Sequence, residues 1–171
     1  MEEIELKFLN IDVGEIKTKL SKIGAKVKFD DHTESYPFLS EDFCGFNSTK
    51  KFLRVRKVNG EIWITYKDPM TDSEMTTRKE IEIKVDDYEK AITLLESLGF
   101  KRGTVFKKHR VHYELGDVHF ELDTVGNIPT YLEIETQTEE AMKKICLELN
   151  LNILEGKKGT IVEIYPEKFN L

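Results

Sequence analysis

The sequence predicts an α+β protein: a sheet of about eight antiparallel strands with helices packed on its outer side. Three observations carry that prediction. Period-two alternation of polar and apolar residues dominates the chain, tight-turn dipeptides join alternating runs, and four segments switch to helical spacing. No linker-like stretch divides the chain, so residues 1–171 read as a single domain. That length buries a core without metal or disulfide staples.

Each element has its own reason. Residues 3–8 run Glu-Ile-Glu-Leu-Lys-Phe, polar at odd and apolar at even positions, as a half-buried strand requires. Val13, Ile16, Leu20 and Ile23 then share one helical face, with Asp12 as N-cap and Gly24 as stop. A strand is expected around Thr33–Leu39, interrupted by Pro37. Phe52–Arg56 and Ile62–Lys67 alternate on either side of Asn59-Gly60, a strong hairpin signal. Arg78–Val85 alternates again, and Tyr88, Ile92, Leu95 and Leu98 form a second helical stripe closed by Gly99. Further strands are expected at 105–115, at Val118–Asp123 across a Gly116-Asp117 turn, and at Tyr131–Thr136. Thr138 caps a helix carrying Met142, Ile145, Cys146 and Leu149, and Thr160-x-x-Glu163 fits a capping box before a short last helix.

The chain also echoes itself. Glu3-Ile4-Glu5-Leu6-Lys7 returns 77 positions later as Glu80-Ile81-Glu82-Ile83-Lys84. Each strand precedes a helix with a related end, Ile23-Gly24-Ala25-Lys26 and Leu98-Gly99-Phe100-Lys101. This suggests two strand–helix halves of one barrel.

Residues two apart in a strand point the same way, so the charges sort onto faces. One face carries Glu3, Glu5 and Lys7; Arg54 and Arg56; Lys67; Arg78, Glu80 and Glu82; Lys108 and Arg110; Glu121 and Asp123; Glu133 and Glu135. The other carries Ile4, Leu6, Phe8, Leu53, Val55, Ile62, Ile64, Tyr66, Ile81, Ile83, Phe120, Leu122, Leu132 and Ile134, which the helices are expected to cover. A charged face on one strand is ordinary. The same set on seven strands, with eight acids and seven bases, is not explained by solvation alone. Closing the sheet would enclose that set in a lumen whose charges need pairing or bound ions. Arg and Lys bind phosphate oxygens, and paired carboxylates bind Mg²⁺ or Mn²⁺. Both sets in one cavity point to a metal–polyphosphate ligand.

Composition narrows the remaining classes. With 32 acids against 26 bases the net charge is −6, which argues against a nucleic-acid surface. The acidic start Met1-Glu2-Glu3-Ile4-Glu5 lacks a signal-peptide pattern, and no apolar run is long enough for a membrane span. A cytoplasmic protein with no membrane or nucleic-acid partner is expected. Cys44 and Cys146 are read as small buried hydrophobes. His32, His109, His112 and His119 show no metal-ligand spacing, although His112 and His119 share parity with the charged face. Trp63 also points inward and is read as a plug at one tunnel end.

The ordered motifs resemble the CYTH, or triphosphate tunnel metalloenzyme, superfamily. They are Glu3-Ile4-Glu5-Leu6-Lys7, Leu53-Arg54-Val55-Arg56, Thr65-Tyr66-Lys67, Arg78-Lys79-Glu80-Ile81-Glu82, Lys108-His109-Arg110, and Leu122-Asp123 with Glu133-Ile134-Glu135. The sequence looks closest to the class IV adenylyl-cyclase-like branch. The resemblance implies an eight-stranded antiparallel tunnel, closed around a polar lumen, with helices outside. It implies metal binding by Glu3, Glu5, Glu133 and Glu135, with Asp123 orienting a water or joining a second metal site. It implies that Glu80 and Glu82 bind metal or hold arginines. It further implies that Lys7, Arg54, Arg56, Lys67, Arg78, Lys108 and Arg110 contact the triphosphate, with Asp123, Glu133, Glu135 and Lys67 as the expected catalytic set. Thr160-Ile161 departs from the Ser-Tyr pair that often opens the family's C-terminal segment.

The expected activity is therefore a Mg²⁺- or Mn²⁺-dependent reaction of a triphosphate. It is either hydrolysis of tripolyphosphate, thiamine triphosphate or a nucleoside triphosphate, or cyclisation of ATP to cyclic AMP and pyrophosphate. A non-catalytic polyphosphate or nucleotide binder is the alternative, and a homodimer is a candidate assembly.

Overall fold

The computed structural model describes residues 2–69 and 76–169, and among them the chain forms nine strands and four α-helices. β1 (Glu2–Phe8) leads into α1 (Val13–Lys22), then β2 (Lys26–Leu39), β3 (Phe52–Val58) and β4 (Glu61–Lys67). β5 (Thr76–Val85) leads into α2 (Tyr88–Ser97), the two-residue β6 (Lys101–Arg102), then β7 (Phe106–Leu115), β8 (Val118–Thr124) and β9 (Tyr131–Thr136). α3 (Glu139–Glu148) and the one-turn α4 (Ile161–Ile164) come last. Among the described residues no helix is long and apolar enough to cross a membrane.

Eight strands close into an antiparallel barrel in the order β3-β4-β5-β1-β9-β8-β7-β2, with β2 returning to pair with β3. All eight expected strands are present, but β2 spans 14 residues and begins at Lys26 rather than near Thr33. Its first six residues, Lys-Val-Lys-Phe-Asp-Asp, carry only two apolar side chains and stay largely exposed, and a bulge between Val27 and Phe29 shifts the register against β7. Pro37 stays in the strand opposite Arg54, and its carbonyl accepts from Gly103 N at 2.8 Å.

Local chemistry fixes the turns and caps. Asn59 and Gly60 take φ of 49° and 74°, the two positive values that a type I′ hairpin needs. Asp12, Asp87 and Thr138 each accept a backbone N–H at the start of α1, α2 and α3. Thr160 and Glu163 form the expected reciprocal box.

The barrel is inverted relative to a small packed one: its outside is apolar and its inside is charged. On one side α1 and α3 lay Leu20, Met142, Ile145 and Leu149 over Leu6, Phe120, Leu132 and Ile134. On the other, α2 lays Ala91, Ile92 and Leu95 over Leu53 and Val55. Helical cover ends before β5, so Ile81 and Ile83 are 48 % and 58 % exposed and are not covered as expected. Cys146 is buried on the inner face of α3, but Cys44 is exposed, contrary to expectation, because it lies in the loop between β2 and β3.

The internal echo corresponds to a symmetry of the barrel. β1 and β5 lie side by side, with Glu3 opposite Arg78. Exchanging β1 with β5, β2 with β7, β3 with β8 and β4 with β9 leaves the order of strands around the barrel unchanged.

Candidate active site

Strand alternation brings the predicted charged set together in one tunnel. A wide lobe of about 630 Å³ adjoins a narrow lobe of about 110 Å³, and both are partly open to solvent. Arg54, Arg56, Lys67, Lys108 and Glu133 border both lobes and form the waist. Fourteen of the fifteen predicted side chains line one lobe or the other; Asp123 lies fully buried behind Lys108 and Arg110. The floor of the narrow lobe is Phe46, Phe52, Phe106, Tyr131, Thr160 and Ile161. Trp63 lines the wide lobe, at the mouth.

The walls differ in charge. Neighbouring strands β3 and β4 carry Arg54, Arg56 and Lys67; β7, joined to β3 through β2, carries Lys108 and Arg110. Between them β2 contributes the buried, neutral Thr33 and Ser35. The consecutive strands β5, β1, β9 and β8 carry all eight acids together with Arg78 and Lys7.

Many of these charges are paired. Lys7 Nζ donates to Glu5 and Glu133 at 2.9 Å each. Lys67 bridges Glu3 at 2.8 Å and Glu80 at 2.7 Å. Glu82 accepts from Arg56 Nη2 at 3.0 Å and from Thr65 Oγ1 at 2.6 Å, so here it holds an arginine. Asp123 accepts from Arg110 Nε and Nη2 at 2.7 and 2.6 Å and from Lys108 at 2.6 Å, and Glu121 pairs with Arg110 Nη1. Even so, the buried Nε atoms of Arg54, Arg56 and Arg78 have no hydrogen-bond partner among the described residues. A buried guanidinium N–H without an acceptor is costly, and an anion in the tunnel would supply one.

The titration shifts show where charge is missing. Burial lowers Arg56, and neighbouring Arg54 lowers it further. Burial also lowers Lys108, with Arg110 adding to it. Both cations would be relieved by an anion. On the acidic wall, burial raises Glu135, and Glu121 and Glu3 raise it further. Burial raises Glu133 too; Lys7 opposes the shift while Glu5 and Glu121 add to it. Burial lifts Glu3 to about 7 against the pull of Lys67. Glu5 goes the other way: Lys7 and Lys67 outweigh its burial and hold it at about 2.

Two carboxylate groups on that wall have the form of cation sites. Ligand oxygens of Glu5, Glu133 and Glu135 lie within 4.8 Å of one another, as do those of Glu121, Asp123 and Glu133. The donors are all oxygens, which suits hard divalent cations, and the raised carboxyls of Glu133 and Glu135 fit a place for positive charge. Glu3, Glu80 and Glu82 contact lysine, arginine and threonine side chains in this arrangement.

The sequence reading assigned no role to Glu121, Thr65 or Tyr131. Glu121 has the face parity of Asp123 and could have been assigned with it. Thr65 and Tyr131 hydrogen-bond Glu82 and Asp123, contacts that no sequence spacing encodes. The same face also gathers His112, Glu114 and His119 at the mouth.

Comparison with known proteins places this geometry. The model of the CYTH domain matches residues 1–161. A Methanocaldococcus jannaschii protein named as a candidate adenylate cyclase, MJ0240, is 32 % identical over 144 residues, covering 84 % of this chain and 82 % of its own. The structure of PH1012 from Pyrococcus horikoshii OT3 superposes with a TM-score of 0.76 at 33 % identity, covering 94 % of this chain and 98 % of that one. A Hippeastrum protein, HpAC1, described as a candidate adenylyl cyclase with a dominant triphosphatase activity, shares the fold at a TM-score of 0.61 and 15 % identity, covering 98 % of this chain and 95 % of that one.

Proposed function

This chain belongs to the CYTH domain family, and from that premise we propose that it is a divalent-metal-dependent enzyme that binds a triphosphate in its tunnel and catalyses substitution at one phosphorus atom. The observation that carries the reading is the division of one cavity into a basic wall with unpartnered guanidinium N–H groups and an acidic wall with two carboxylate triads. A triphosphate with its cation has the complementary division.

Arg54, Arg56, Lys67 and Lys108 at the waist would take the phosphate oxygens, with Arg78 and Lys7 reaching the part of the chain in the narrow lobe. Glu5, Glu133 and Glu135 would hold Mg²⁺ or Mn²⁺, with Glu121 and Asp123 beside them. When bound, such a cation neutralises charge on phosphate oxygens and lowers the pKa of bound water. A carboxylate of this wall left free of the cation would accept the proton from the attacking hydroxyl; Glu133 and Glu135, raised by burial and like charge while no cation is bound, are the candidates. In cyclisation the ribose 3′-oxygen bonds to the α-phosphorus of ATP, the α–β bridge bond breaks, and pyrophosphate leaves with the electron pair. The wide lobe supports this reading, because about 630 Å³ accommodates a nucleoside and Trp63 and Phe29 line it. Hydrolysis is the second reading: water bonds to the terminal phosphorus, the bridge bond to the neighbouring phosphate breaks, the diphosphate part leaves with the electron pair, and orthophosphate is released. The narrow lobe favours it, since it is cationic and about 110 Å³, room for phosphate groups alone.

A substrate panel tests the proposal. ATP, tripolyphosphate and thiamine triphosphate are incubated with the purified chain and Mg²⁺ or Mn²⁺, and products are resolved as cyclic AMP, pyrophosphate and orthophosphate. Metal-dependent turnover of at least one substrate is expected. Tight binding of all three without turnover would establish a binding protein instead.

A further inference from the structure

We propose a second metal site, of a different chemical class, at the mouth of the tunnel: His112, Glu114 and His119 form a three-ligand site for a borderline divalent transition metal such as Zn²⁺. It goes beyond the triphosphate reading and stands without it.

The β7–β8 hairpin builds the site. His112 and Glu114 lie two apart on β7 and share a face, and the short turn at Gly116-Asp117 sets Glu114 opposite His119 and His112 opposite Glu121. The ligand atoms converge. His112 Nε2 lies 3.3 Å from Glu114 Oε1 and 3.4 Å from His119 Nδ1, and His119 Nδ1 lies 3.8 Å from Glu114 Oε1. An ion with tetrahedral bonds of about 2.1 Å holds its ligand atoms about 3.4 Å apart, so this triangle is close to one face of such a site. The fourth position is left for water or another ligand, the pattern of an open rather than a closed zinc site.

A second, independent feature supports metal binding. A metal-ligating histidine characteristically directs its other ring nitrogen at a carboxylate. His112 Nδ1 lies 3.3 Å from Glu121 Oε1, the place such a carboxylate takes, and His112 is only 9 % exposed. The ring itself is fixed: Phe29 stacks on it at 5.0 Å with planes 6° apart. Glu114 is likewise oriented, because its other oxygen takes Lys28 Nζ at 2.9 Å and leaves Oε1 toward the imidazoles. Two nitrogens and one oxygen select a borderline ion over Mg²⁺, which prefers an all-oxygen shell. The two proposed sites therefore differ in donor set within one tunnel.

The test is a Zn²⁺ titration of the full chain in excess Mg²⁺, followed by imidazole ¹⁵N resonances in long-range ¹H–¹⁵N spectra. The His32–His109 pair is the internal control, since His109 Nε2 already contacts Asp30 at 2.7 Å. His112 and His119 should shift together and saturate at one equivalent, while His32 and His109 stay put. The same response is expected in Glu5→Gln, which separates it from the carboxylate site. His119→Ala, a change at a side chain 40 % exposed, should weaken Zn²⁺ binding roughly tenfold or more while thermal unfolding stays cooperative. Equal shifts of all four histidines, no shift at one equivalent, or unchanged affinity in His119→Ala would each overturn the site.

Discussion

The two hairpins β3–β4 and β8–β9 occupy equivalent places in the barrel, yet their inward charges are opposite. β3–β4 presents Arg54, Arg56 and Lys67, whereas β8–β9 presents Glu121, Asp123, Glu133 and Glu135. Both turn alternating side chains inward from an apolar outer face, although a two-residue turn and α2 serve the first hairpin and a six-residue loop with α1 and α3 the second. The sign of the inward charge follows the residue type at the inward positions. The barrel therefore fixes where charges sit without dictating their sign, and one pseudo-symmetric scaffold acquires a wall for anions and a wall for cations.

Lys7 is the sharpest challenge to that division, because it is a base set among acids. Its ammonium compensates Glu5 and Glu133 at 2.9 Å each, and all three groups are buried. Lys7→Met leaves two buried carboxylates without their nearest partner, the next cations being Lys67 and Arg110 at 3.9 Å, a loss of about 3–5 kcal/mol for a broken buried pair. Urea unfolding in the presence of a chelator should show it. Mn²⁺ should restore more stability to the variant than it adds to the wild type, because Glu5 and Glu133 belong to the same triad as Glu135. A loss below about 1 kcal/mol, far under the range for a buried pair, or equal gains from Mn²⁺, would show that Lys7 does not stand in for a cation.

A pair of substitutions separates the walls by what each one damages. Glu135→Gln keeps shape and removes charge from the acidic wall; turnover should fall at least about a hundredfold, since outer-shell partners of a metal alone are worth 10–100-fold. Arg56→Ala should instead raise the apparent Kd for tripolyphosphate roughly ten- to a hundredfold, as expected for losing a charged hydrogen bond of about 1.5–3 kcal/mol. Direct binding and initial-rate measurements on both variants check the split. If Glu135→Gln weakened anion binding and Arg56→Ala abolished metal dependence, the walls would have been assigned the wrong way round.

Much of this is legible in the sequence. Alternation alone placed Glu3, Arg54, Lys67, Arg78 and Glu133 on one face, because side-chain direction in a strand is fixed by parity. Parity does not give partners across the lumen. Lys67 meets Glu3 across 64 residues and Lys7 meets Glu133 across 126, so which acids hold bases and which converge as triads came only from barrel closure. Register across a short turn, by contrast, was available: Glu114 and His119 flank Gly116-Asp117 at equal distances, and spacing along one strand was the wrong measure for them. The first half of β2 was missed although Lys26–Asp30 alternates, because it offers only Val27 and Phe29 as apolar residues and Val27 stays 55 % exposed.

The floor belongs to neither wall, and it gives the smallest expected effect. Glu163 closes the α4 capping box by accepting from Thr160 N at 2.8 Å, and it ties the β2–β3 loop to that helix through Ser48 N at 2.8 Å and Oγ at 2.7 Å. Burial raises its carboxyl, but these hydrogen bonds outweigh burial and hold it below the ordinary 4.5. A depressed folded value means the stabilisation is fully present above the unfolded pKa and is lost as pH falls through the folded one. Glu163→Gln should therefore cost about 1 kcal/mol near neutral pH, as for a lost helix cap. The difference from wild type should stay constant down to roughly pH 5 and shrink below it. Paired denaturation curves across that range measure it, and Mn²⁺ and tripolyphosphate affinities should be the same in both proteins. A pH-independent difference would remove Glu163 as the titrating tie, and a loss confined to Mn²⁺ affinity would make the floor part of the acidic wall.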